Sequence, residues 1–206
     1  MIVVGNSNVN TFKQQGLVTQ AGTEPVGVVW VGALTAPDFY NGHPAARKVL
    51  QLFGEHLDEW KFLSIGVHDI HALCSAAADF QLNAALRVLQ QVYERLFTEL
   101  SRFGKFGWLV FPQPAHEVSF PGVSPEEVLE IARTFNSRIA GWCRRAGIAV
   151  IDPADRILGA DGLPLPQLLQ KDGIHLNVDA ARCYLDDIAA LTGTPLQFQS
   201  DAPPFE

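Results

Sequence analysis

Ser7, Asp172 and His175 are residue types that together can activate a hydroxyl for attack on a carbonyl. A serine hydroxyl is a poor nucleophile at neutral pH. It needs a base to accept its proton and a third group to hold that base in the right tautomer. Asp172-Gly173-Ile174-His175 offers both in one glycine-containing turn, where the carboxylate can engage one ring nitrogen and leave the other for Ser7. Ser7 itself sits in Ile2-Val3-Val4-Gly5-Asn6-Ser7-Asn8, where a short apolar strand breaks at Gly and Asn. Neither segment is decisive alone. A serine after a strand is ordinarily a turn residue or a helix N-cap, and Asp and His three apart arise by chance or as a polar cap. The attacked carbonyl oxygen also gains negative charge and requires donors. The backbone N–H groups of Ser7 and Gly32 and a side-chain N–H of His68 are the candidates.

These residues can meet only if the fold brings both ends of the chain to one edge. Five continuous apolar runs read as strands: 2–4, 26–31, 62–65, 108–111 and 148–151. Helical segments alternate with them. Residues 10–16 form a short helix or turn, and 44–53 are amphipathic. From Asp79 to Phe103, Leu82, Leu86, Leu89, Tyr93, Leu96, Leu100 and Phe103 share one helical face. Ser124-Pro125-Glu126-Glu127 opens a helix that runs to about Ala146, with an N-cap Ser, Pro at the first helical position and Glu three residues after the cap. The last helix spans Val178 to Leu191 and stops near Gly193 and Pro195. The strands lack the period-2 alternation of a sheet with one wet face, so both faces are covered. The prediction is an α/β three-layer α/β/α sandwich with a five-stranded parallel sheet, flavodoxin-like in type. Sites in such sheets gather at the carboxyl ends of the strands. Ser7, Gly32, His68 and Asp69 each follow a strand, and Asp172 and His175 lie in the loop after the fifth.

Composition narrows the function further. With 206 residues and 48% hydrophobic content, the chain suits a single domain, placed at 1–193, with an irregular tail at 194–206. A net charge of −7 with 15 scattered Lys and Arg provides no basic surface for nucleic acid. No apolar run approaches the roughly 18 residues of a membrane span, and the features of a signal peptide are missing. With Met1 as the natural start, the expected compartment is the cytoplasm. Cys74, Cys143 and Cys183 show no metal or redox spacing and read as reduced, small core fillers.

Other readings compete at particular residues. His68-Asp69-Ile70-His71 carries metal-ligand types, but no third or fourth ligand at matching spacing is evident; the simpler reading has Asp69 capping the following turn and His71 partly exposed. Gly5-Asn6-Ser7-Asn8 could cradle a phosphate, yet it lacks the glycine spacing of a nucleotide fingerprint and no Walker-type Lys follows. Leu82, Leu89 and Tyr93 are core stripe, and Glu126 and Glu127 belong to helix capping. The stretch from Pro112 to Gly122, with His116, Glu117 and Phe120, shapes a substrate pocket or is a surface crossover.

Taken together, the blocks resemble the SGNH (GDSL-like) hydrolases. Gly5-Asn6-Ser7 is similar to the family's Gly-Asp-Ser, with Ser7 in the nucleophile's place. Gly32 in Val31-Gly32-Ala33 matches the second block's glycine, and Gly66-Val67-His68-Asp69 resembles Gly-x-Asn-Asp. Asp172-Gly173-Ile174-His175, continuing into Leu176-Asn177, matches the last block and is its most specific piece. Asn6 stands where the family has Asp, and His68 where it has the oxyanion-hole Asn. The resemblance implies a serine esterase that needs no cofactor or metal and acts on a small-molecule ester, most often an acetyl or other small acyl group on a sugar or small alcohol. Two alternatives stay open: an O-acyltransferase using the same acyl-enzyme, and a non-catalytic binding module that keeps the fold.

Overall fold

The computed structural model describes residues 1–16, 18–78, 81–112, 120–173 and 175–199. Its strands are β1 (Ile2–Gly5), β2 (Val18–Ala21), β3 (Glu24–Pro25), β4 (Gly27–Trp30), β5 (Lys61–Ser64), β6 (Phe106–Leu109), β7 (Ala149–Ile151) and β8 (Leu196–Gln199). The helices are α1 (Pro44–Glu55), α2 (Val67–Ala78), α3 (Leu82–Ser101), α4 (Pro125–Arg145), α5 (Ala154–Ile157) and α6 (Val178–Thr192), joined by a 3₁₀ helix at Ser7–Gly16. Five strands pair in parallel in the order β4-β1-β5-β6-β7, the flavodoxin-like arrangement in which the chain reverses direction across the sheet at β1. The predicted α/β/α architecture is therefore the observed one.

Alternation along each strand divides the core between the two faces. Ile2, Val4, Leu63, Phe106 and Trp108 face a cluster covered by α1, α2, α3 and α4. Val3, Phe62, Leu109 and Ile151 face a second cluster containing Val9 and Phe12 of the 3₁₀ helix and Ala180, Tyr184 and Ile188 of α6. Tyr93, Phe97, Trp108 and Phe135 interlock edge-on or tilted at the centre of the first cluster. The α4 capping box forms as its sequence predicts, with Ser124 Oγ accepting from the Glu127 N–H and the Glu127 carboxylate accepting from the Ser124 N–H. Gly193 ends α6 at φ +69. Cys74 and Cys143 lie in the core as free thiols, whereas Cys183 is only half-buried. Among the described residues no helix is long and apolar enough to cross a membrane.

Three elements differ from expectation. α2 occupies the segment read as a strand end, and its apolar positions Ile70, Leu73, Cys74 and Ala77 fall at helical spacing against the core. A second, antiparallel sheet, β3-β2-β8, turns at Gly22 with φ +65. Part of the tail expected to be irregular belongs to that sheet: Leu196 and Phe198 alternate with Gln197 and pack on the second cluster, so burial on one face orders the segment. Asp79, the expected start of the long helix, lies outside the described residues, as do His116, Glu117 and residues 200–206.

Candidate active site

Gly5 ends β1 where no side chain fits. A Cβ there would lie 2.4 Å from the Ser64 carbonyl oxygen and 2.6 Å from Val9. Buried Asn6 then turns the chain: its N–H donates to Ser64 O (3.2 Å), its carbonyl accepts from the Val9 N–H (3.1 Å), and its side-chain oxygen accepts from the Asn8 N–H (3.1 Å). Such Asx turns suit a short polar side chain, so Asn6 is a structural part of the turn. Its consequence is that Ser7, first residue of the 3₁₀ helix, stands exposed at the carboxyl edge of the sheet.

The partner residues arrive on a second tight turn. Gly173 at φ +72 closes it, Leu169 and Leu176 bridge its base, and the Gln170 N–H donates to His175 O (2.7 Å). Asn177 fixes the turn to α6. Its side-chain oxygen accepts from the N–H groups of Asp179 and Ala180 while its amide donates to Gln167 O and Leu169 O. Thr11 on the 3₁₀ helix donates to Leu176 O at 3.2 Å, tying the serine's segment to the histidine's.

Within this frame Asp172 Oδ1 accepts from the His175 backbone N–H (3.0 Å), and Asp172 Oδ2 lies 2.8 Å from His175 Nδ1. His175 Nε2 lies 3.1 Å from Ser7 Oγ. An ionised carboxylate only accepts, so Nδ1 carries the proton and Nε2 is left to accept from the serine hydroxyl. That is the arrangement in which a histidine removes a proton from a nucleophile.

Gly32 follows β4 and His68 opens α2 after β5, the two strands that pair with β1 on either side. In register, Gly5 of β1 pairs with Trp30 of β4 and Ser64 of β5, and the Val31 N–H extends the ladder to Gly5 O (2.9 Å). Gly32 therefore follows the end of β4 directly. Its φ of +71, rather than crowding, favours glycine, because a Cβ there would meet no heavy atom within 4 Å. His68 is half-buried in the first turn of α2. Its ring meets His71 edge-on at 5.4 Å, and His71 in turn meets Phe120 at 5.3 Å. Burial and the neighbouring His68 hold His71 below the usual imidazole range. Asp69 does not cap its own turn: its Oδ2 accepts from the Ala36 N–H (3.2 Å) and the Tyr93 hydroxyl (2.7 Å). Among the described residues no cluster of three or more His, Cys, Asp or Glu side chains is placed to hold a metal.

An open groove of about 810 Å³ has Asn10, Lys13, Leu169, Gln170, Lys171, Asp172 and Asn177 in its wall. The sequence pointed to Ser7, Asp172 and His175, and the structure joins them in one hydrogen-bonded chain. Thr11, Asn177 and Asp69 were not assigned these roles. Of the three, Asp69 and Asn177 carried a signal, as members of the Gly66–Asp69 block and of the block that continues into Leu176-Asn177, and Thr11 carried none.

No family model and no curated protein matches the chain. Solved structures do match its fold. An acetyl xylan esterase aligns with a TM-score of 0.61 over 93% of this chain and 100% of its own, at 12% identity. Axe2, an acetylxylan esterase from Geobacillus stearothermophilus, aligns at 0.56 over 91% and 92%, also at 12% identity. LAE5, an alpha/beta hydrolase from the metagenome of Lake Arreo, aligns at 0.56 over 93% and 94%, at 16% identity. The molecule thus shares the three-layer α/β/α fold of these esterase and hydrolase structures over nearly its whole length.

Proposed function

We propose that the chain is a serine-dependent carboxylic ester hydrolase. The observation that carries this reading is the unbroken chain from Asp172 Oδ2 through His175 to Ser7 Oγ, at 2.8 and 3.1 Å. Ser7 Oγ attacks the ester carbonyl as His175 Nε2 takes its proton. The carbonyl carbon becomes tetrahedral, and its oxygen carries the displaced electron pair as an oxyanion. The Ser7 and Gly32 N–H groups and an N–H of the His68 imidazole receive that charge. His175 then returns the proton to the departing alcohol oxygen, leaving an acyl-serine. A water, deprotonated by the same Nε2, attacks the acyl carbon, and collapse of the second tetrahedral adduct frees the carboxylic acid and restores Ser7. Asp172 keeps Nδ1 protonated and stabilises the imidazolium in both steps.

Ser7 is exposed, which gives water direct access to an acyl group on it and favours hydrolysis over transfer to a second alcohol. Acetyl and other short acyl esters of a carbohydrate or small alcohol are the substrate class, a reading supported by the fold shared with acetyl xylan esterases. Turnover of p-nitrophenyl acetate and butyrate by wild type and Ser7→Ala tests the proposal. Turnover in the wild type that vanishes in the variant is expected; equal turnover in both removes Ser7 from the mechanism.

A further inference from the structure

We propose that Asp69 is a positioning residue: its carboxylate locks together the two segments that carry Gly32 and His68, and so sets where the substrate's carbonyl oxygen is received. The inference rests on the ester-hydrolase reading of the site.

Asp69 is 2% exposed and takes no part in the triad. An aspartate in the first turn of a helix ordinarily serves N–H groups of that helix. Here a single oxygen, Oδ2, accepts from two other elements: the Ala36 N–H in the segment after β4 and the Tyr93 hydroxyl of α3. Ala36 and Tyr93 are themselves fully buried, so without that oxygen a backbone N–H and a phenol would be left unsatisfied in the core.

Both oxyanion-bearing segments depend on this junction. On one side, the Thr35 N–H and hydroxyl both donate to Asp38 Oδ2, at 2.8 and 2.7 Å, which makes residues 35–38 a closed unit. Holding Ala36 therefore holds the unit, and Gly32 lies four residues upstream at the end of β4. On the other side, His68 immediately precedes Asp69. The turn from β5 into α2 passes through Gly66, at φ +129, where a Cβ would lie 3.3 Å from the Phe135 ring and 3.4 Å from the Tyr93 hydroxyl. The Tyr93 hydroxyl thus braces the turn and the carboxylate together. Backbone donors act at fixed positions, and a displacement of about 1 Å in such a site costs on the order of 100-fold in rate. Ser7 is held separately, by Asn6 and Ser64. Loss of the Asp69 junction would therefore move the oxyanion donors and leave the nucleophile in place.

The test is steady-state hydrolysis of a short p-nitrophenyl ester by wild type, Asp69→Ala, Asp69→Asn and Tyr93→Phe, with Ser7→Ala as the arm for the hydrolase reading. Asp69→Ala is expected to lose about 10- to 100-fold in kcat with KM within about 2-fold, and to slow phosphonylation of Ser7 by a fluorophosphonate in parallel. Asp69→Asn rescues kcat to within about 3-fold of wild type, because its amide oxygen can accept the same two hydrogen bonds. Tyr93→Phe loses less, again in kcat alone, and carries the test if Asp69→Ala does not fold. Wild-type kcat in folded Asp69→Ala or in Tyr93→Phe, an effect confined to KM, or equal losses in Asp69→Ala and Asp69→Asn would each overturn the inference. Turnover that survives Ser7→Ala would instead remove the hydrolase reading on which it stands.

Discussion

The two ends of the parallel sheet each hold a histidine and a carboxylate three residues apart, and the pair at the carboxyl edge is hydrogen-bonded to a serine hydroxyl. Before β5, at the amino edge, His56 Nδ1 lies 2.7 Å from Glu59 Oε1; at the carboxyl edge, His175 Nδ1 lies 2.8 Å from Asp172 Oδ2. Both pairs are half-exposed. What differs is the third partner. Glu59 also receives the α-ammonium of Met1, and hydrogen bonds from that ammonium and from His56 hold its carboxyl below the usual range. Lys61 Nζ closes the same corner by donating to the carbonyls of His56, Leu57 and Glu59, at 2.6, 3.3 and 2.8 Å. The amino edge is a clasp on the Met1 ammonium and on the carbonyls of His56, Leu57 and Glu59. At the carboxyl edge the second ring nitrogen of the histidine is left for the Ser7 hydroxyl. A histidine and a carboxylate three residues apart are common to both ends, and what distinguishes the carboxyl edge is the serine hydroxyl on the far side of the imidazole.

Substitution can break that contrast. The largest expected effect is on His175→Ala, which should lower kcat for short esters by at least about 10⁴-fold, while His56→Ala stays within about 2-fold of wild type in the same assay. Asp172→Asn should follow, at about 10³- to 10⁴-fold in kcat, because an amide in place of the carboxylate no longer enforces the tautomer. Among glycines the ends differ as well. Gly5→Ala forces a Cβ into the Ser64 carbonyl and should cost about 3 kcal/mol or more in denaturant unfolding. Gly27→Ala, at the start of β4, meets nothing nearer than 3.7 Å and should be close to neutral.

The buried charges extend the comparison to pH. Burial holds Lys61, at the amino edge, below the usual ammonium range. At the carboxyl edge burial is the main cause that pushes Asp69 from 3.8 up to about 6, against the hydrogen bonds from Tyr93 and Ala36, with nearby Asp38 adding to the rise. A carboxyl whose pKa is higher folded than unfolded is most favourable below pH 4, where it is protonated in both states, and that advantage is lost as pH rises through 6. Asp69→Asn should therefore raise unfolding stability by about 2 to 3 kcal/mol at pH 8 and by little at pH 4, read from denaturant midpoints at the two pH values. Glu59→Gln, whose carboxylate is partly exposed in its pairs with the Met1 ammonium and His56, should cost about 1 kcal/mol or less, a small effect beside which Gly27→Ala is smaller still.

Much of this was readable from the residues. Ile2-Val3-Val4 and the other apolar runs announce a parallel sheet buried on both faces, which is the sheet observed. The Ser124 capping box and the Leu86–Tyr93–Leu100 stripe are local signals, and both appear where the sequence places them. The helix α2 is masked in the sequence because it starts straight after Gly66 at the end of β5, and its later turns are mostly small residues, Cys74 to Ala78, with little amphipathic contrast. β2 and β8 owe their order to each other across most of the chain, a pairing that local propensity does not encode. The same holds within the site. Asp172 and His175 are neighbours in sequence and could be paired on paper, whereas the Asp69 contacts with Ala36 and Tyr93 join three elements and become visible only when those elements pack.

The most direct test of the account is the intact mass of the protein after reaction with a fluorophosphonate. The account predicts one phosphonyl adduct per chain on the wild type, located to the peptide containing Ser7, and none on Ser7→Ala or His175→Ala. A wild type that stays unlabelled, or an adduct that persists in Ser7→Ala, would contradict it.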